Sequence, residues 1–255
     1  MATPMPQLEV EDRIRAAGSI ALFSDFDGTL APLVPDPAGA RLDEAARQAL
    51  AAISHRDRIF VAIISGRSLD HVRAAVGLPD VVYAGNHGLE IEGRGLRFLE
   101  PAAAAARDEL RAVTERLESA LRTVPGAFVE YKGLTTSVHY RNVAEADVGR
   151  VEQAVREAVA RAAGLFRLGS GKMLWEILPR TEWDKGSAVR WILDRLGDDD
   201  ILSIYFGDDK TDENAFRVLP GGLTFKVGCE GATDAKYRMT GPLAVEEFLE
   251  WLAKQ

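Results

Sequence analysis

Two clusters of aspartates sit at the ends of apolar runs in the sequence. Asp25 and Asp27 stand two apart and are followed at once by Gly28 and Thr29, while Asp208, Asp209 and Asp212 follow Gly207. Each group comes directly after an apolar run, Ile20–Ser24 in one case and Ile201–Phe206 in the other. A strand projects residues two apart to one face, and burying two carboxylates together without a cation is costly. Either group alone reads as a solvated turn or a helix cap. Two such groups at the ends of two strands describe a site for a hard cation with oxygen ligands, most simply Mg²⁺. Lys185 adds a positive charge in the first turn of a helical pattern, where the backbone dipole disfavours it, and this favours a functional role. Ser65, after a third apolar run, reads by itself as an ordinary helix cap, and Arg67 as a partner in a salt bridge. Of the 31 basic residues only seven are Lys, so any lysine outside a plain surface helix raises the question of why Arg was not used.

Positioning these groups requires strands that end together. Ile20–Ser24, Ile59–Ile64 and Val81–Ala84 are short apolar runs that alternate with helical patterns after Asp43 and Ser68, the signature of βαβ units on a parallel sheet. In open α/β sheets ligands bind at the carboxyl ends of the strands. After Pro101 the pattern changes. A helix marked by Leu110, Val113, Leu117 and Leu121 precedes a hairpin over 127–131 and 135–141, then comes a helix through Val148, Val151, Val155 and Val159, then two strands over 165–168 and 173–178. The order αββαββ predicts a small α+β layer inserted into one α/β domain. The βα pattern resumes with a helix over 185–196, a strand over 201–206, a short strand over 225–227 and a closing helix over 245–252.

In the inserted layer, alternation puts Glu130 and Lys132 on one face of the hairpin opposite Val129 and Tyr131. Ser137, His139 and Arg141 likewise oppose Val138 and Tyr140, and Lys172 and Glu176 oppose Met173, Trp175 and Ile177. Such a face is either merely solvated or suited to the hydroxyls of a sugar.

Other chemistries find no support. The net charge of −8 argues against nucleic-acid binding. Cys229 is the single cysteine, which rules out an internal disulfide and cysteine-pair zinc sites; it reads as a small buried hydrophobe. The four histidines form no H-E-x-x-H pair, and neither a G-x-S-x-G elbow nor a G-x-G-x-x-G fingerprint occurs. Gly169-Ser170-Gly171-Lys172 looks like the end of a phosphate-binding loop, but Met173 replaces its Ser or Thr and Phe166 stands where its first Gly belongs. The first residues have neither a basic start nor an apolar h-region, and no apolar run approaches the length that spans a bilayer, so a cytoplasmic protein without membrane contact is expected.

Ser24-Asp25-Phe26-Asp27-Gly28-Thr29-Leu30 resembles the first motif of the haloacid dehalogenase superfamily of phosphotransferases. Ser65-Gly66-Arg67 resembles its second motif, Lys185-Gly186 its third, and Gly207-Asp208-Asp209-Lys210-Thr211-Asp212-Glu213 its fourth, in the family's order. Tyr83-Ala84-Gly85-Asn86-His87-Gly88-Leu89-Glu90 and the form of the fourth motif are similar to those of the trehalose-6-phosphate phosphatases within it. The resemblance covers nearly the whole chain. It implies an α/β fold: a Rossmann-like parallel-sheet core formed by 1–104 and 181–255, with an inserted α+β cap domain over 105–180. It also implies a Mg²⁺-dependent phosphatase acting on a sugar phosphate, in the same pathway as a trehalose-phosphate synthase. Asp25 would be the nucleophile, Asp27 the acid and base, and Ser65 and Lys185 would bind the phosphoryl group. Asp25, Asp27 through its carbonyl, and Asp208 would hold the cation, supported by Asp209 and Asp212. Glu130, Lys132, Arg141 and Glu176 would contact the sugar, joined by Lys172 and by Asn86 and His87. Phosphatases for mannosyl- or glucosyl-3-phosphoglycerate or sucrose 6-phosphate share this chemistry, and a silent sugar-phosphate-binding module would be expected to lack Asp25 or Asp27.

Overall fold

A computed structural model describes residues 3–4, 7–34, 39–162, 164–171 and 173–255. They divide into two compact units, one over Leu99–Glu182 and the other comprising the segments that precede and follow it. In chain order the strands are β1 (Thr3–Pro4), β2 (Ile20–Ser24), β3 (Ile59–Ile64), β4 (Val82–Gly85), β5 (Glu90–Gly93), β6 (Leu96–Leu99), β7 (Phe128–Tyr131), β8 (Thr136–His139), β9 (Phe166–Gly171), β10 (Leu174–Pro179), β11 (Leu202–Gly207), β12 (Leu223–Val227) and β13 (Tyr237–Met239). The helices are α1 (Gln7–Ala16), α2 (Glu44–Ser54), α3 (Leu69–Val76), α4 (Pro101–Ala105), α5 (Arg107–Leu121), α6 (Glu145–Ala160), α7 (Lys185–Leu196), α8 (Asp212–Val218) and α9 (Pro242–Leu252). No helix among the described residues is long and apolar enough to cross a membrane.

The outer segments build one sheet in the order β1-β13-β12-β11-β2-β3-β4-β5-β6. From β1 to β4 every neighbouring pair is parallel, and β5 joins β4 antiparallel. The central strands are largely apolar because both faces are covered. On β2, Ile20 and Leu22 join a core with Leu50 and Ile53 of α2 and Leu249 and Leu252 of α9. Ala21 and Phe23 point the other way, into a core with Val189 and Ile192 of α7 and Phe216 of α8. Adjacent β2 and β11 run parallel with Phe206 abreast of Ser24, so the residues that follow each strand emerge at the same sheet edge.

The inserted unit is a four-stranded sheet in the order β7-β8-β10-β9. Leu110, Val113 and Leu117 of α5 and Val151 and Val155 of α6 pack with Val138 and Ile177 on one face. On the opposite face Ser137 lies between its cross-strand partners Glu130 and Glu176.

Several elements depart from the sequence expectation. Helix α8, which opens on Asp212-Glu213-Asn214, was hidden by its short length and polar first turn. Strands β5 and β6, with charged residues and Gly93 at the sheet edge, carry no apolar run. The alanine-rich stretch after Pro101 forms α4, capped by the Glu100 carboxylate, which accepts from the Ala103 N–H at 2.5 Å. Cys229, expected to be buried, is exposed. Lys172 lies outside the described residues.

Candidate active site

Asp25 continues β2 by one residue, its N–H donating to the Phe206 carbonyl of β11 at 2.9 Å. The chain then turns sharply, with the Leu30 and Ala31 N–H groups donating to the Phe26 carbonyl. Gly28 has φ +84°, which favours glycine sterically. Its missing side chain is also used. A Cβ here would lie 2.5 Å from Cγ of Asp208 and closer still to its Oδ2. Gly207 likewise leaves room for Asp212, whose Cβ would be 2.5 Å from any Cβ added there.

Asp25, Asp208 and Asp212 each offer a carboxylate oxygen within 4.8 Å of the others. Lys185, the first residue of α7, is buried among them, and its Nζ donates to Asp25 Oδ1 at 2.7 Å and to Asp212 Oδ1 at 2.8 Å. These two contacts account for a cation at the positive end of a helix dipole. The Asp212 carboxylate accepts two further bonds: Tyr205 Oη donates to Oδ1 at 2.8 Å and the Asp209 N–H to Oδ2 at 2.9 Å. Burial pushes the Asp25 carboxyl well above the usual range; Lys185 opposes this, and Asp212 and Asp208 add to it. Burial works against the Lys185 ammonium, but Asp212 and Asp25 outweigh it and hold the proton more firmly than on an ordinary lysine. Burial and the Asp212 charge raise the Tyr205 phenol well above its usual range, so it stays a donor.

Asp27 points elsewhere. Both its oxygens are held by Arg67, Nε to Oδ2 and Nη2 to Oδ1 at 2.7 Å each, a bidentate fork. Arg67 also lies over the Phe26 ring. Ser65 is buried beyond β3, and its Oγ accepts from the Arg67 N–H at 3.2 Å. It is not the cap of α3; that is Ser68, whose Oγ accepts from the His71 N–H. The left-handed residues Asn86 and His87 are fastened to this loop, with the Asn86 N–H donating to the Arg67 carbonyl at 2.6 Å and the His87 N–H to the Ser65 carbonyl at 2.8 Å. Buried Asn86 donates through Nδ2 to Glu90 Oε1 at 2.8 Å.

Asp209, expected to support the cation site, stands outside the carboxylate group: its side chain is exposed, while its backbone N–H donates to Asp212 Oδ2 and its carbonyl accepts from Lys226 Nζ at 3.3 Å. Tyr205 and Lys226, both inside apolar strands, were missed. The only signal was a polar residue where an apolar one was due, together with the scarcity of lysine.

Within the inserted unit, His139 Nε2 lies 2.9 Å from Glu130 Oε2, and Lys132 Nζ donates to Glu176 Oε1 at 3.2 Å. These four residues form one polar patch. Arg141 follows just beyond β8.

Residues 23–240, which contain all of these groups, match the trehalose-phosphatase family model. The chain belongs to this family. A trehalose-phosphate phosphatase of Mycobacterium tuberculosis is 41% identical over 244 residues, covering 92% of this chain and 61% of that one. The chain thus spans about three fifths of the length of such curated family members. Among solved structures, the C-terminal domain of a Candida albicans trehalose-6-phosphate phosphatase superposes with a TM-score of 0.84 at 22% identity, covering 100% of this chain and 98% of that one. A haloacid dehalogenase-like hydrolase from Bacteroides thetaiotaomicron superposes with a TM-score of 0.65 at 16% identity, covering 92% and 99%. The parallel sheet with an inserted unit is therefore the fold of haloacid dehalogenase-like hydrolases with a cap domain.

Proposed function

We propose that the chain is a Mg²⁺-dependent phosphatase that hydrolyses trehalose 6-phosphate to trehalose and phosphate through an aspartyl-phosphate. The observation that carries this reading is the group of Asp25, Asp208 and Asp212, of which Asp25 and Asp212 are buried and paired with Lys185. Its donors are all oxygens, the set a small hard cation takes. Asp25 and Asp208 would hold the cation with the Asp27 carbonyl, while Asp212, which accepts from three donors, orients Lys185. When bound, the cation neutralises charge between nucleophile and phosphate.

Lys185 occupies Oδ1 of Asp25, so Oδ2 is the oxygen that attacks phosphorus. The P–O bond to the sugar breaks as that bond forms, and Asp27 gives a proton to the departing sugar oxygen. Asp27 then takes a proton from the water that hydrolyses the aspartyl-phosphate, releasing phosphate and restoring Asp25. Asp27 must let go of at least one bond to Arg67 to do so. Ser65 and Lys185 bind the phosphoryl oxygens. Glu130, Lys132, Arg141 and Glu176, with Lys172, contact the sugar hydroxyls, and Asn86 and His87 flank the phosphoryl end. We place the protein in the cytoplasm, in the same pathway as a trehalose-phosphate synthase.

Phosphate release from a panel of sugar phosphates tests this reading. Preference for trehalose 6-phosphate is expected, and preference for a glycerate-bearing or sucrose phosphate would replace the substrate. Asp25→Asn is expected to abolish turnover and keep the fold. Full activity in that variant would refute the nucleophile, and no turnover of any substrate by the wild type would leave only a binding module.

A further inference from the structure

Lys226 is the fourth of the five residues of β12, a fully buried strand of otherwise uncharged residues. In the parallel ladder it lies abreast of Gly207, one residue before Asp208. Its Nζ donates to the Asp208 carbonyl at 2.6 Å and to the Asp209 carbonyl at 3.3 Å, and lies 3.6 Å from Glu213 Oε1. Glu213 is fixed in turn, its Oε2 accepting from the Asp234 N–H at 2.7 Å and from Thr233 Oγ1 at 3.2 Å. The ammonium therefore bridges the turn that carries Asp208, the first turn of α8, and the loop beyond β12. Two carbonyl acceptors with a carboxylate within ion-pair reach suit the compact ammonium of lysine better than the flat fork of arginine.

We propose that Lys226 is a positioning residue that sets the cation affinity of the site by holding the Asp208 turn in its ligating conformation. This rests on the reading that Asp208 holds the cation. The sign of the effect separates positioning from simple charge. As a nearby positive charge, Lys226 repels a bound cation, so its removal would tighten binding if through-space electrostatics ruled. As a clasp on backbone carbonyls, its removal frees the turn and weakens binding. Outer residues that orient metal ligands commonly change affinity 10–100-fold when mutated.

The test is calorimetric titration of the purified chain with Mg²⁺ alone, comparing wild type, Lys226→Met and Glu213→Gln, with circular dichroism to check the fold. Lys226→Met is expected to bind Mg²⁺ at least about tenfold more weakly. Glu213→Gln keeps the ammonium on both carbonyls and is expected to show no comparable loss. Equal or tighter binding by Lys226→Met, or an equal loss in Glu213→Gln, would overturn the proposal. If Lys226→Met does not fold, Lys226→Gln gives the same comparison, with weaker binding expected and equal or tighter binding overturning it. Absence of Mg²⁺ binding by the wild type would instead overturn the cation reading, and this proposal with it.

Discussion

Replacing Lys185 by Met should expose how strongly the carboxylate group depends on its counter-charge. Methionine has similar volume, so the cavity contribution is small and the loss is electrostatic. The ammonium contacts Asp25 and Asp212 at 2.7 and 2.8 Å, with all three side chains buried. Removing one partner of such a pair typically costs about 3–5 kcal/mol when the remaining charges stay ionised. Protonating Asp25 relieves that cost. Its carboxyl already holds a proton more tightly in the folded chain than the usual range, and Lys185 is the main influence opposing that rise. A folded pKa above the unfolded one means stability falls as pH rises through the folded value. The metal-free variant should therefore lose little at pH 5 and most at pH 8. At about 2–4 °C per kcal/mol for a chain of this size, the loss at pH 8 is roughly 6–20 °C in Tm. Differential scanning calorimetry in EDTA at pH 5, 6.5 and 8 reads this, with the transition of the unit that carries Lys185 followed separately from that of the inserted unit. Mg²⁺ should recover more of the melting temperature in the variant than in wild type. An unchanged Tm at pH 8, or a deficit that does not vary with pH, would refute the argument.

Two further substitutions probe the geometry. Gly28→Ala combines a left-handed backbone with a Cβ pressed on the Asp208 carboxylate; the strain costs about 1–2 kcal/mol, and calorimetric Mg²⁺ titration should show lost binding in a protein that still folds. Arg67→Lys keeps a charge beside Asp27 but not the bidentate fork. Steady-state kinetics should show kcat falling about tenfold or more with KM changed little, and a change confined to KM would contradict a positioning role for Arg67.

Much of this architecture is legible in the sequence because parallel strands buried on both faces leave unbroken apolar runs, and Ile20–Ser24 and Ile59–Ile64 have the expected limits. Asp25, Lys185, Asp208 and Asp212 were legible as charges in places where a charge must be explained, and the structure brings them together. Arg67 does close the ion pair its position suggested. Tyr205 and Lys226 were not legible, because Tyr205 reads as one more aromatic of an apolar strand until the turn brings Asp212 back onto its hydroxyl, and the partners of Lys226 are backbone carbonyls of the turn beyond the neighbouring strand. Asp209 was expected to support the site beside Asp208, but a sequence shows that two carboxylates are adjacent and not which of them the turn sends outward.

The bond between Lys185 and Asp25 spans 160 positions of sequence, and the whole inserted unit lies between them. A break in the backbone anywhere within that unit would yield an amino-terminal fragment carrying one corner of the anionic cradle and a carboxy-terminal fragment carrying the rest. Neither piece alone would grip a divalent ion, so ion uptake by mixed halves would report directly on β11 having docked beside β2.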